Sequence, residues 1–128
     1  PDNLLEQYLQ NQGMNIEGNI LKACEGSIEK AIRVNEKKEQ YDNTYEIFKN
    51  IERYQLLDVI NKLEFLYKDK EEIYEILDYI NIILQEKIIE NPKYIEYIQA
   101  VEQTKKRLRA NSNYDMSIDS MLYKIWEE

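Results

Sequence analysis

The chain has 128 residues, 17 of them basic and 25 acidic, for a formal net charge of -8; that length leaves room for one domain, or one domain and a small satellite, and none for a large enzyme. The acid surplus argues against sequence-independent attraction to phosphate backbones, which concentrated Lys and Arg drive by releasing counterions, so nucleic acid is disfavoured as a direct partner. With no His and one cysteine, Cys24, there is no intramolecular disulfide, no Cys/His metal set and no imidazole to act as a general base.

Three Gly and two Pro, against 43% hydrophobic and 33% charged residues, imply an all-α chain of helices joined by short turns. Leu4, Leu5, Tyr8 and Leu9 recur at helical spacing before Gly13, which suits a helix C-terminus. Ile16, Ile20, Leu21, Ala23 and Cys24 predict a second short helix that Gly26 stops. Ser27 is a candidate N-cap for a third, with Ile28, Ala31, Ile32 and Val34 as its apolar stripe. This helix is expected to fade into the charged stretch from Asn35 to Gln40, the best candidate for a hinge and domain boundary.

Five longer helices are expected beyond it. Tyr41, Tyr45, Ile47, Phe48 and Ile51 carry the first, and Leu56, Leu57, Ile60, Leu63 and Leu66 the second. Ile73, Ile76, Leu77, Ile80, Ile83 and Leu84 form the longest apolar face, which Asn91-Pro92 ends, with Pro92 placed to open the next helix. That helix carries Tyr94, Ile95, Ile98, Val101 and Leu108 and finishes in Lys105, Lys106, Arg107 and Arg109. After a break at Asn111-Ser112-Asn113, a last helix from about Ser117 buries Ile118, Met121, Leu122, Ile125 and Trp126. The organisation expected is therefore a three-helix segment over residues 1–38 and a five-helix bundle over 39–128. A segment below ~40 residues rarely buries a core of its own, so the first part should lean on a neighbour.

No apolar run reaches the ~18 residues of a membrane span, and no charged-then-apolar signal pattern opens the chain; a cytoplasmic protein is expected. Pro1 in place of Met points to a piece of a longer protein. The abundance of Ile, Lys, Asn, Glu and Tyr fits AT-rich coding, so the 11 Tyr are no binding signature in themselves.

Gly26-Ser27-Ile28-Glu29-Lys30-Ala31-Ile32 reads on spacing alone as a glycine C-cap followed by a serine N-cap, a common way to turn between helices. The same stretch resembles the turn that closes the small lid domain of AAA+ clamp-loader subunits. Downstream, Leu108, Asn111, Asn113, Ile118, Met121 and Leu122 resemble the ending of the delta-prime type of bacterial DNA polymerase III clamp-loader subunit. The order of the two motifs, and the helical length between them, extend the resemblance over essentially the whole chain. Within it, Gly26, Ser27, Lys30 and Ala31 are the lid turn, and Leu108, Asn111, Asn113, Met121 and Leu122 are the ending of the helical collar.

The resemblance implies a non-catalytic fragment of lid and collar that helps assemble the pentameric clamp loader during DNA replication. Its partners would be the ATPase (gamma or tau type) and delta-type subunits, with the sliding clamp and primed DNA met only through the complex. In ATP-hydrolysing relatives an arginine three places after the lid glycine reaches the nucleotide phosphates; here that place holds Glu29, which repels phosphate. No Gly-x-x-x-x-Gly-Lys-Ser/Thr loop is present, and no cofactor or metal is expected. A collar from another clamp-loader subunit, or a stand-alone helical adaptor, stays open beside this reading.

The basic run Lys105, Lys106, Arg107 and Arg109 suits the negative end of a helix and lacks interleaved aromatics for stacking bases. Carboxylate pairs such as Glu71 with Glu75, or Glu86 with Glu90, are expected on a solvated face, and Cys24 as a small buried residue. Tyr97, Tyr123 and Trp126 are the candidates for a partner interface, although Trp126 lies at helical spacing from Leu122 and suits a core equally.

Overall fold

A computed structural model describes residues 28–127. The chain divides into two compact units, 1–39 and 40–128. Gly26 and Ser27, expected as a lid turn, with Cys24 and the two short helices expected before them, lie outside the described residues.

Five α-helices, and no strand, occur among the described residues: α1 (Ile28–Lys49), α2 (Leu56–Lys62), α3 (Ile73–Lys87), α4 (Tyr94–Arg109) and α5 (Tyr114–Trp126). Short 3₁₀ turns over Ile51–Arg53, Glu64–Tyr67 and Lys70–Glu72 link the first three. None of the described helices is long and apolar enough to cross a membrane.

The hinge expected at Asn35–Gln40 is helical throughout, so what reads as the end of one helix and the start of another is the single helix α1. Between Ile28 and Lys49 there is neither Gly nor Pro, and Glu, Lys and Gln are among the best helix formers. A polar stretch ends an apolar stripe without ending a helix.

Leu56 to Leu66 departs from expectation in the opposite sense. One helix was implied there, but α2 stops at Lys62 and Glu64–Tyr67 tightens into a 3₁₀ turn. Side chains three apart stack in such a turn, which sends Leu63 and Leu66 into the core together, both fully buried. Leu57, read as part of the stripe, is 69% exposed. Pro92 likewise sits two residues ahead of α4 instead of opening it: its carbonyl accepts from the Ile95 N–H (3.0 Å), and the Asn91 side chain accepts from the Lys93 N–H (3.0 Å).

In the unit from Gln40 onward, α3 packs on α4, α4 packs on α5, and α5 also meets α2 and the 3₁₀ turn at Glu64–Tyr67. The stripe of α3 is buried as its spacing predicts: Ile73, Ile76, Leu77, Ile80, Ile83 and Leu84 all face inward. Phe48, Val59, Leu63, Val101, Ile118, Met121 and Leu122 complete the centre. Thr44 and Thr104 are buried as well, each donating its hydroxyl to the carbonyl four residues back (2.8 and 2.9 Å), so neither leaves a polar atom unpaired in the core.

Candidate interaction surface

The turn from α4 to α5 explains what the Leu108, Asn111, Asn113 spacing does. Asn111 adopts φ 61°, the left-handed region that Asn tolerates better than any residue but Gly. Its N–H donates to the Leu108 carbonyl (3.1 Å), and the Ser112 N–H donates to the Arg107 carbonyl (3.0 Å), which is the paired closure of a Schellman motif. Two residues on, Asn113 caps α5, its side-chain oxygen accepting from the Met116 N–H (2.9 Å) while its carbonyl accepts from the Ser117 hydroxyl (2.8 Å). The last helix therefore starts at Tyr114, ahead of the expected Ser117, because the cap sits earlier than the apolar stripe. Leu108 is half-buried against the core, and Met121 and Leu122 are inside it. Each of the five residues thus has a structural task. Asn111→Ala and Asn113→Ala should each lower the urea midpoint, by about 1 kcal/mol in stability, while Asn111→Gly should hold or raise it. Unchanged midpoints for both alanine variants would mean the turn is dispensable to folding.

The three residues expected to meet a partner are placed differently from one another. Tyr97 is 8% exposed and stacks edge-on against Tyr94 at 5.0 Å, so it belongs to the core and not to a surface. It sits three residues after Tyr94 and four before Val101, on the buried stripe of α4. Trp126 is half-buried: its ring packs edge-on to Phe48 at 5.3 Å, and its Nε1–H donates to the Ile51 carbonyl (3.1 Å). That bond ties the last helix to the turn after α1, so the ring and its donor are both engaged within the chain. Only Tyr123 of the three is open, at 61% exposure, and Met116, two turns earlier on the same face of the helix, is 67% exposed. Lys30 and Ala31 fall in the first turn of α1.

Several tyrosine hydroxyls brace the bundle. Tyr114 donates to the Leu66 carbonyl (2.6 Å), Tyr94 to Glu52 Oε2 (3.3 Å) and Tyr67 to Asp119. Burial first, and neighbouring carboxylates second, push Tyr94 and Tyr114 up to about 12, and the same causes raise Tyr67. These phenols stay protonated and serve as donors, far from any pKa that acid–base catalysis near neutrality uses.

The basic end of α4 is divided in its roles. Lys105 donates to Asp78 Oδ1 (2.5 Å) and Glu102 Oε2 (3.3 Å), bonds that raise its pKa. Glu102 also accepts from Asn81 Nδ2 (2.6 Å), and Asn81, buried in α3, keeps its Oδ1 without a hydrogen-bond partner. Arg109 lies over the Tyr74 ring at 5.9 Å. Arg107 turns to α5 and donates to Ser120 Oγ (3.0 Å).

Between α4 and α5 runs a groove of ≈ 610 Å³ that periodicity along a single helix does not reveal, because its lining comes from two helices. Glu96, Gln99, Ala100, Gln103 and Arg107 line it from α4, and Ser120, Met121 and Lys124 from α5. No group of three or more Cys, Asp or Glu able to hold a metal occurs among the described residues. No family model, curated protein or solved structure matches the chain.

Proposed function

We propose that the chain is a non-catalytic assembly fragment, a lid followed by a helical collar, of a delta-prime-like clamp-loader subunit of bacterial DNA polymerase III. The observation that carries the reading is the turn at Leu108, Asn111 and Asn113: the residues that resemble the collar ending occupy the joint between the last two helices of an all-helical unit. In this reading the unit from Gln40 onward packs beside ATPase-type and delta-type subunits in the cytoplasm. It holds ATPase modules in a ring while the sliding clamp is loaded on primed DNA. The lid binds no nucleotide, given Glu29 where a cation would be needed. Tyr123 and Met116 on α5 are the residues assigned to a neighbouring subunit, since they are large, apolar in body and exposed.

The test is capture of the matching ATPase and delta subunits by the immobilised chain, with thermal melts in parallel. Tyr123→Ala should weaken capture by about 1–2 kcal/mol and leave the melt unchanged. Failure of the wild-type chain to capture either subunit, when the full-length protein does so, would replace the clamp-loader reading with a stand-alone helical adaptor.

A further inference from the structure

We infer that the groove between α4 and α5 receives an acidic segment of a partner polypeptide. The inference does not rest on the clamp-loader reading. The chain carries 25 acidic and 17 basic residues, so most cations are expected to find a carboxylate. Lys105, Lys87 and Lys68 do so. Arg107 and Lys124, like Lys62 and Lys106 elsewhere, do not; the first two line the same groove, and neither makes an ion pair among the described residues. From Glu102 to Asp115 the sequence holds no acidic residue between them, and the lining of the groove carries two cations, Arg107 and Lys124, against one carboxylate, Glu96.

The shape selects a polypeptide over a small anion. Gln99 to Arg107 spans about 12 Å of helix at 1.5 Å per residue, too long for one phosphate to bridge. A volume of ≈ 610 Å³ lies within the range of ligand sites, about 300–1,000 Å³, and holds several side chains. Gln99 and Gln103 supply amides able to bond a backbone, and half-buried Ala100 offers an apolar contact for one side chain. Nucleic acid fits less well, since no aromatic lines the groove for stacking. The occupant is then a segment whose carboxylates meet Arg107 and Lys124 and whose apolar residue rests against Ala100.

The experiment titrates the full chain into a fluorescein-labelled peptide of alternating Glu and Leu, with a Gln-for-Glu counterpart, inorganic phosphate and single-stranded DNA as competitors. Saturable binding of the acidic peptide is expected, with amide shifts at Gln99, Gln103 and Ser120. Lys124→Glu and Arg107→Gln should each weaken it on the order of tenfold. Arg107→Gln retains a donor for Ser120, and Lys62→Glu on exposed α2 is the control that should leave binding unchanged. The inference is overturned by no saturable binding, by equal binding of the Gln peptide, by equal weakening from Lys62→Glu, or by displacement of the peptide by phosphate or DNA at equal concentration.

Discussion

Trp126→Ala should lower the stability of the chain by about 3 kcal/mol, read as a drop in the urea midpoint and melting temperature. The indole contributes in two ways, through its edge-on packing against Phe48 and through its N–H on the Ile51 carbonyl. Trp126→Phe separates them. It keeps a ring and loses the donor, leaving the Ile51 carbonyl short of a partner, and should cost about 1 kcal/mol. Phe48→Ala and Trp126→Ala together should cost less than the sum of the two, because each removes the other's neighbour. A Trp126→Ala chain that melts like wild type would show that the indole packs elsewhere and return it to the candidate surface residues.

The second large effect lies at Leu122. It is fully buried on α5, which meets α2, α4 and the 3₁₀ turn, so truncation opens a cavity that no single element can collapse to fill. Leu122→Ala should cost about 3–5 kcal/mol, at the upper end for such a change. Leu57→Ala removes the same atoms from a side chain that is 69% exposed and should shift the midpoint by less than about 0.5 kcal/mol. Similar losses for both would mean that α2 buries the opposite face from the one the structure shows.

The contrast between those two leucines marks how far the sequence carries. The stripe of α3 was legible because six apolar residues recur at helical spacing in a segment without breakers, and each is buried. Leu57 follows the same arithmetic and fails, since its neighbour Leu56 and its successors Val59 and Ile60 already fill the inward side of so short a helix. The continuity of α1 through Asn35–Gln40 was hidden because apolar periodicity reports burial, and a helix facing water has none to report. Tyr97 carries a core signal in its spacing to Tyr94 and Val101, which an aromatic near the chain's end shares with residues that face a partner. Asn111 and Asn113 were recognisable as a break; their division into a left-handed stop and a cap emerges only from the backbone. The groove was beyond reach, as Arg107 and Lys124 lie 17 residues apart and meet only through the packing of two helices.

Asn81 bears on how uniquely the bundle is specified. An interface of Ile, Leu and Val alone tolerates sliding, since one apolar contact replaces another at small cost. The bond from the Asn81 amide to Glu102 is position-dependent in a way that methyl groups are not. Sliding α3 by one turn, about 5.4 Å, would carry the amide away from its acceptor and break the hydrogen bond of a buried polar side chain. The Lys105 bond to Asp78 would part in the same movement. These polar atoms make one axial alignment of α3 and α4 better than its neighbours, as a single buried Asn does in a coiled coil. The partnerless Oδ1 of Asn81 is what that selectivity costs.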